Sequence, residues 1–235
     1  MTPLRATPEQ LQQLATLSTC EVADALVKLK HPSGGYVPDL ERFSGPEGKV
    51  LVGEAFTVEM VDGRDNEAPK LEGHFVDAAD ADSIVFISTP AHTKSASLGG
   101  LLATALQRKG VRGVVTSGRC RDLAELRALD FPVFARGHSV LGQSPFTRVS
   151  RVQVPLEIHP QPAAPTPFEP TFPPTTVHPC DVALADLDGV VVVRPEQIDE
   201  VVQLARKGRE VDERCRVDLL GGAGVKETFA KHRGK

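Results

Sequence analysis

The chain has 235 residues, of which 40% are hydrophobic and 25% charged, with a formal net charge of -4. That is apolar material for a sizeable core, and the mildly acidic balance excludes the basic footprint of a nucleic-acid-binding protein. No run of about 18 apolar residues reads as a membrane span, and the opening MTPLRATPEQLQQL has no apolar stretch that reads as a secretory signal.

Thr7-Pro8-Glu9-Gln10 starts a helix, with a capping threonine and proline at the first helical position. Ser18 or Thr19 begins a second, STCEVADALVKL, in which Val22, Ala25, Leu26 and Leu29 make one apolar face. The pattern breaks at a proline and two glycines around His31–Gly35, and strands are predicted at Lys49–Glu54 and Ala55–Met60. HFVDAADADSIVFIS gives a short helix and then the strand Ser83–Ser88. In HTKSASLGGLLATALQRKG the residues Leu98, Leu101, Leu102, Ala105 and Leu106 form a helical stripe. Lys109-Gly110 stops that helix with a cation and a glycine. The strand Gly113–Thr116, a helix over Leu123–Leu129 and the strand Pro132–Ala135 follow. This alternation with short links predicts an α/β protein with parallel strands.

Residues 155–179 hold nine of the nineteen prolines, a density incompatible with helix or central strand. The segment reads as an extended surface loop, inserted at about 157–177, or as a domain boundary. The loop is preferred, because the roughly 55 residues that follow are few for an independent core, so the chain is read as one domain over 1–235. VALADLDGVVVV is a strand pair turning at Leu187-Asp188-Gly189. Arg194-Pro195-Glu196 starts a long helix with Ile198, Val201, Val202 and Ala205 on one face. Its later part, REVDERCR, is a solvated face or an arm laid across a neighbouring subunit.

The chemistry concentrates in VVTSGRCRD, Val114–Asp122, where a buried-looking strand runs into Arg119, Arg121 and Asp122. Guanidinium groups resist burial unless an anion meets them. The neighbouring carboxylate either pairs with them or holds a metal ion and leaves an arginine for substrate. Upstream, Gly99 and Gly100 open a helix whose exposed N–H groups and dipole attract a carboxylate or phosphate. With Ser83–Ser88 and Gly113–Thr116 parallel, both features fall at the carboxyl edge of the sheet, where ligands of α/β sheets collect.

The stretch GGLLATALQRKGVRGVVTSGRCRDLAELRALDFPVFARG resembles the RraA-like family, whose best-known enzymes are 4-hydroxy-4-methyl-2-oxoglutarate aldolases that also decarboxylate oxaloacetate. STCEVADAL, VGEAFTV and VHPCDVALADLDGVVVVRP resemble further family segments, so the likeness covers most of the chain outside the proline-rich part. The resemblance implies an α/β domain with layered β-sheets, of the swivelling β/β/α type, flanked by helices. It implies trimers or pairs of trimers with sites at subunit interfaces. It places a divalent cation, Mg²⁺ with Mn²⁺ as the alternative, on Asp122, and the substrate, a small 2-oxo acid, on Arg121 and the backbone of Gly99, Gly100, Leu101 and Leu102. An acidic residue from an adjacent subunit matches Glu213 best, with Glu210 as competitor. Two departures stand out: Pro179-Cys180-Asp181 replaces the family's Pro-Gly-Asp, and Ser117 replaces an acid before the motif's glycine. Besides the lyase, the family offers a non-catalytic regulator that binds a ribonuclease, and a lyase or hydratase of another 2-oxo acid shares the same metal site.

Other residues carry competing readings. Lys94 suits a Schiff base, but its flanks His92-Thr93 and Ser95 are polar, unlike the apolar pocket that lowers a lysine's pKa. His74 and His138 are lone histidines. Arg119 either binds a distal carboxylate or pairs with an acid, and Arg136 either caps the sheet or reaches the site. The cysteines Cys20, Cys120, Cys180 and Cys215 lack CxxC or zinc-ligand spacing and read as reduced thiols of a cytoplasmic protein. Cys120 has no evident histidine partner and reads as a small packed residue. GGAG at Gly221–Gly224 follows a helix rather than a strand, unlike a phosphate loop.

Overall fold

A computed structural model describes residues 4–161 and 172–234. Two N-terminal helices, α1 (Pro8–Leu14) and α2 (Thr19–Lys28), each begin with a capping box, on Thr7 with Gln10 and on Ser18 with Glu21. Short strands β1 (Tyr36–Val37) and β2 (Glu41–Ser44) lead into β3 (Leu51–Asp62). There follow α3 (Phe75–Ala78), β4 (Ser83–Ser88), β5 (Ala96–Leu98), α4 (Gly100–Arg108), β6 (Gly113–Thr116), β7 (Arg119–Cys120), α5 (Leu123–Ala128) and β8 (Val133–Ala135). The chain closes with β9 (Thr147–Val152), β10 (Leu156–Ile158), β11 (Thr175–Val177), β12 (Val182–Ala185), β13 (Val190–Val193), α6 (Ile198–Leu220) and α7 (Val225–Arg233).

The main sheet runs β1-β13-β12-β3-β4-β6-β8-β2, with β9 also on β3. Its centre is parallel: β3 with β4, β4 with β6, and β6 with β8. Ile84 faces Gly113 and Ile87 faces Thr116, the parallel pairing expected from the sequence. The two strands predicted at 49–54 and 55–60 are one continuous strand, β3. No turn residue interrupts its apolar run, and it is the hub of the sheet. β4 covers one edge of β3 over Glu54–Glu59, so β12 and β9 share the other edge, at Leu51–Glu54 and Val58–Asp62.

Strand alternation sorts the core into layers. Val85 and Ile87 of β4, Val114 of β6 and Val133 of β8 point to the helical side, where Leu106 of α4 and Leu126 of α5 meet them. Val182, Leu184, Val191 and Val193 point the same way under α1, α2 and α6. Ile84, Phe86, Val115, Phe134, Ala183 and Val192 point to the opposite face, which Leu156, Ile158 and Val177 of the β10–β11 ribbon cover. The layers are therefore helix, large sheet and small sheet, as the family likeness implied. Proline density left room for this ribbon only at the ends of the excursion, where Leu156 pairs with Val177 and Ile158 with Thr175. Residues 162–171 of the predicted loop lie outside the described residues.

Two helical readings need correction. The stripe assigned to α4 matches its buried face only in part: Leu106 is buried and Leu102 packs against the core, but Gly100 and Ala103 complete the face, Leu101 is 85% exposed, and Leu98 belongs to β5. Leucine spacing misled because helix and preceding strand contribute to one apolar-looking run. Helix α7 was not anticipated, since Thr228 is its only buried residue. It is held instead by polar contacts, Arg233 to Asp212 and Lys231 and His232 to Asp218. No described helix is long and apolar enough to cross a membrane.

Phe86 is fully buried in the core layer that the β10–β11 ribbon covers. Phe86→Ala is expected to cost about 3–5 kcal/mol, read as a lower urea midpoint at unchanged slope.

Candidate functional site

The site is assembled by a second, two-stranded parallel pair. Ala96 of β5 lies opposite Arg119 of β7 and Leu98 opposite Cys120, and the Arg121 N–H donates to the Leu98 carbonyl at 3.0 Å. Two strands leaving side by side in one direction deliver their next residues to one place. Gly99-Gly100 thus opens α4 beside Arg121-Asp122, which opens α5. The other side of β7 is lined by the segment 137–142, through Cys120 N–H to the Gly137 carbonyl (3.0 Å) and Ser139 N–H to the Cys120 carbonyl (2.9 Å).

The turn between β6 and β7 is held by buried hydroxyls. Thr116 Oγ1 accepts the Gly118 N–H at 3.0 Å and lies 2.8 Å from Ser97 Oγ. Ser117 Oγ accepts the Thr89 N–H at 3.0 Å. Ser117, which stands where the family carries an acid, is therefore a strut between β4 and β6 loops. Gly118 packs so closely that a β-carbon there would fall 2.7 Å from Thr89 Oγ1.

Asp122 caps α5 with φ 61° and ψ 44°, a left-handed conformation that aspartate tolerates better than most residues. Its Oδ2 accepts the Gly100 N–H at 3.0 Å and stands 3.5 Å from Arg121 Nε. Among the described residues no hydrogen bond reaches its Oδ1, and the side chain keeps 38% of its exposure. The Arg121 Nη atoms likewise have no acceptor among the described residues, and its side chain is 42% exposed. Gly142 lies alongside, where a β-carbon would fall 2.9 Å from Arg121 Nη1. The question raised by the sequence has a geometric answer: carboxylate and guanidinium touch at one corner and each leaves its other atoms open.

The start of α4 is equally open. Gly99 is its N-cap and offers no side-chain cap, so of the first N–H groups only that of Gly100 meets a side-chain acceptor, Asp122. The N–H groups of Leu101 and Leu102, in the first turn, have no intrahelical partner. A β-carbon on Gly99 would fall 2.6 Å from Asp122 Oδ2, and one on Gly100 would fall 1.8 Å from Glu125 Oε2, so a side chain at either position requires that carboxylate to shift. Glu125 was not singled out from the sequence. The available signal was its place three residues after Asp122 at a helix start, which puts both on one side.

The remaining candidates disperse. Glu213 and Glu210 are exposed on α6, and Glu213 lies 3.8 Å from Arg216. No hydrogen bond or ion pair among the described residues joins either glutamate to Arg121 or Asp122. Arg119 donates to the His138 carbonyl at 3.0 Å rather than to an acid. Arg136 donates to the His159 carbonyl and so ties β8 to the end of β10; burial pulls its guanidinium below the ordinary value. His74 is the N-cap of α3, its Nδ1 accepting the Val76 N–H at 3.2 Å. His138 lies edge-on to Phe43, and Lys94 is exposed. GGAG links α6 to α7, with Gly224 as the N-cap of α7.

A buried charged group sits at the opposite edge, by the amino ends of the parallel strands. Asp181 is 2% exposed, accepts the His178 N–H at 2.8 Å and pairs with Arg194 Nε at 3.1 Å. Burial pushes its carboxyl up, against the pull of the His178 N–H and Arg194. Its partners satisfy it fully, which marks a structural tie between β12 and the start of α6. A cleft of about 510 Å³ near it, lined by Arg5, Glu54, Asp80 and Cys180, is likewise remote from Asp122. Among the described residues no three acidic, histidine or cysteine side chains converge as a metal cage.

Comparison with known proteins adds the following. The family described as RraA-like: Aldolase/RraA matches residues 19–192. A protein of Halalkalibacterium halodurans called a putative 4-hydroxy-4-methyl-2-oxoglutarate aldolase is 29% identical over 203 residues, 86% of this chain and 85% of its own. An uncharacterized protein of Methanocaldococcus jannaschii is 27% identical over 92% of this chain and 91% of its own. Protein DlpA of Legionella pneumophila is 23% identical over 94% of this chain, but the chain spans only 33% of its length. Among solved structures, an uncharacterized protein from Pseudomonas syringae superposes with TM-score 0.77 at 24% identity, covering 96% of this chain and 98% of that one. Streptomyces coelicolor RraAS2, described as an unusual member of the RNase ES inhibitor RraA protein family, superposes with TM-score 0.72 at 21% identity, covering 91% and 98%. At these identities the two structures establish the fold alone.

Burial pushes the Cys120 thiol up to about 11, so roughly one in a thousand is ionised at pH 8. Cys120 is expected to resist a disulfide reagent in the folded protein while exposed Cys20 reacts. Mass mapping of the labelled peptides checks this, and denaturant should release Cys120.

Proposed function

Because the chain belongs to the RraA-like family and sets an open carboxylate beside an open guanidinium, we propose that it is a divalent-metal-dependent lyase that releases pyruvate from a small 2-oxo acid. Substrates of the 4-hydroxy-4-methyl-2-oxoglutarate type undergo aldol cleavage, and oxaloacetate is decarboxylated in the same site. The observation that carries this reading is Asp122, one oxygen fixed by the Gly100 N–H, the other without a hydrogen-bond partner among the described residues, on a side chain that keeps 38% of its exposure. The 29% identical relative called a putative aldolase supports it.

The residues present fit a hard cation. One carboxylate with a free oxygen, and no protein cage around it, suits an ion that keeps most of its waters, Mg²⁺ first and Mn²⁺ second. Asp122 would hold it, and when bound it would supply Lewis-acid polarisation of the 2-oxo group. The chain's own groups do the rest. The N–H groups of Leu101 and Leu102, with the dipole of α4, bind the substrate carboxylate. Gly99 and Gly100 let that backbone approach. The free Nη pair of Arg121 orients the substrate and meets the negative charge that grows on the ketone oxygen as C3–C4 breaks. One preorganised stabiliser of this kind contributes about 3–4 kcal/mol. The same charge develops whether C4 leaves as a ketone or as CO₂, so one arrangement serves both reactions. Aldol cleavage further requires the C4 hydroxyl proton to be removed; Glu213 from an adjacent copy of the chain is assigned to steer the water that takes it, with Glu210 as its competitor.

An adjacent copy is part of the proposal. The protein acts as a homotrimer or a pair of trimers, with the site completed at the interface. Support comes from apolar residues left bare near the site, Leu101 at 85% and Val140 at 92% exposure. The chain takes no nucleic acid or membrane as partner in this reading, and it works in the cytoplasm.

The test is a pyruvate-release assay on both substrates, with and without a chelator. Turnover that stops with chelator and returns with Mg²⁺ is expected. No release with metal present would overturn the lyase in favour of a non-catalytic regulator that binds a ribonuclease, and release from neither substrate but from another 2-oxo acid would redirect the substrate. Asp122→Asn is expected to abolish metal-dependent turnover while circular dichroism and Tm stay near those of the parent. Arg121→Lys is expected to lower kcat/KM by about 100-fold or more, because a point charge does not reproduce the planar fork.

A further inference from the structure

Glu125 is an exposed glutamate on the first turn of α5, and such a side chain ordinarily extends into solvent. Here it folds back over the start of α4. A β-carbon on Gly100 would fall 1.8 Å from Glu125 Oε2 and 2.9 Å from its Cδ, while one on Gly99 would fall 2.6 Å from Asp122 Oδ2. Each of two consecutive glycines thus makes room for a different carboxylate. Glu125 has no side-chain hydrogen bond or ion pair among the described residues; only its backbone carbonyl is engaged, by the Leu129 N–H. Two carboxylates therefore crowd one helix start, against a single guanidinium that touches only Asp122, at 3.5 Å. Like charges placed side by side repel, and the amino end of α4 offsets this only in part. The arrangement leaves two carboxylates with free acceptor oxygens at the start of α4.

We infer that Glu125 is the second acidic group of the cation site, accepting a hydrogen bond from the hydration shell of an ion held by Asp122. This rests on Asp122 as the metal ligand. It gives each protomer two acids of its own for the cation, so binding does not wait for Glu213 of a neighbouring copy. Glu125 is a positioning residue: it acts on the ion's water and does not touch the reacting atoms. A side chain at Gly100 would require the Glu125 carboxylate to move. The alternative role, complementing the helix dipoles, would show in stability and leave cation affinity alone.

The experiment is Mn²⁺ binding to the full chain, read by the electron paramagnetic resonance signal of free Mn²⁺, with no substrate present. Glu125→Gln is expected to weaken Mn²⁺ binding by about 10-fold or more, with little change in the metal-free Tm. Gly100→Ala is expected to weaken it too, although alanine favours the helix. Asp122→Asn is expected to abolish it. Glu125→Gln binding within twofold of the parent, while Asp122→Asn binds nothing, overturns the role of Glu125 and leaves Asp122 in place. Parent-like binding by Asp122→Asn, or none by the parent protein, overturns the metal site itself and this inference with it.

Discussion

The parallel pairing of β5 with β7 is the constraint on which the site depends. It is only a few residues long, yet it runs two chain segments out of the sheet in the same direction and turns each into a helix within two residues. The result is a pair of helix starts in contact, with backbone N–H groups from α4 facing side chains from α5. Had the pair been antiparallel, Gly99 and Asp122 would lie at opposite ends of the ribbon. The buried Ser97 and Thr116 hydroxyls beneath it fix the turn that sends β6 into β7, so the geometry of the surface is determined by polar contacts inside the core.

Electrostatics then distinguishes this edge from the other. At the amino ends of the parallel strands, Asp181 is buried, hydrogen-bonded and paired with Arg194. A carboxylate so satisfied contributes to structure, and removing one partner would strand a buried charge. At the carboxyl ends, Asp122 and Arg121 meet at 3.5 Å with about two fifths of each side chain exposed, a contact of small energetic weight. Weak mutual pairing leaves both groups available to a ligand. The two aspartates therefore play different parts because of burial and partner geometry, although residue type is the same.

Steric requirements at the helix start complete the picture. Gly99 and Gly100 have no unusual φ that demands glycine; the carboxylates of Asp122 and Glu125 lie in the space their β-carbons would take. Bare backbone at a helix start thus serves two ends: it presents N–H groups, and it admits carboxylates at close range.

Much of this could be read from the chain alone. Continuous apolar runs located β4, β6 and β8, which are buried on both faces, and helical periodicity located α2 and the buried face of α6, which pack one face. Capping threonine and serine marked the starts of α1 and α2 for the same local reason. The stretch SGRCRD marked the candidate site, since arginines beside an apolar strand need an anion to explain them. Periodicity failed where the signal is not a repeating face. The continuity of β3 across Glu54–Ala55, the β10–β11 ribbon and the polar-anchored α7 depend on partners distant in sequence. The convergence of Gly99-Gly100 with Asp122 and Glu125 was decided by tertiary structure for that reason: side-chain type and local spacing are properties of the chain, whereas which two helix starts meet depends on a strand register set about 22 residues apart.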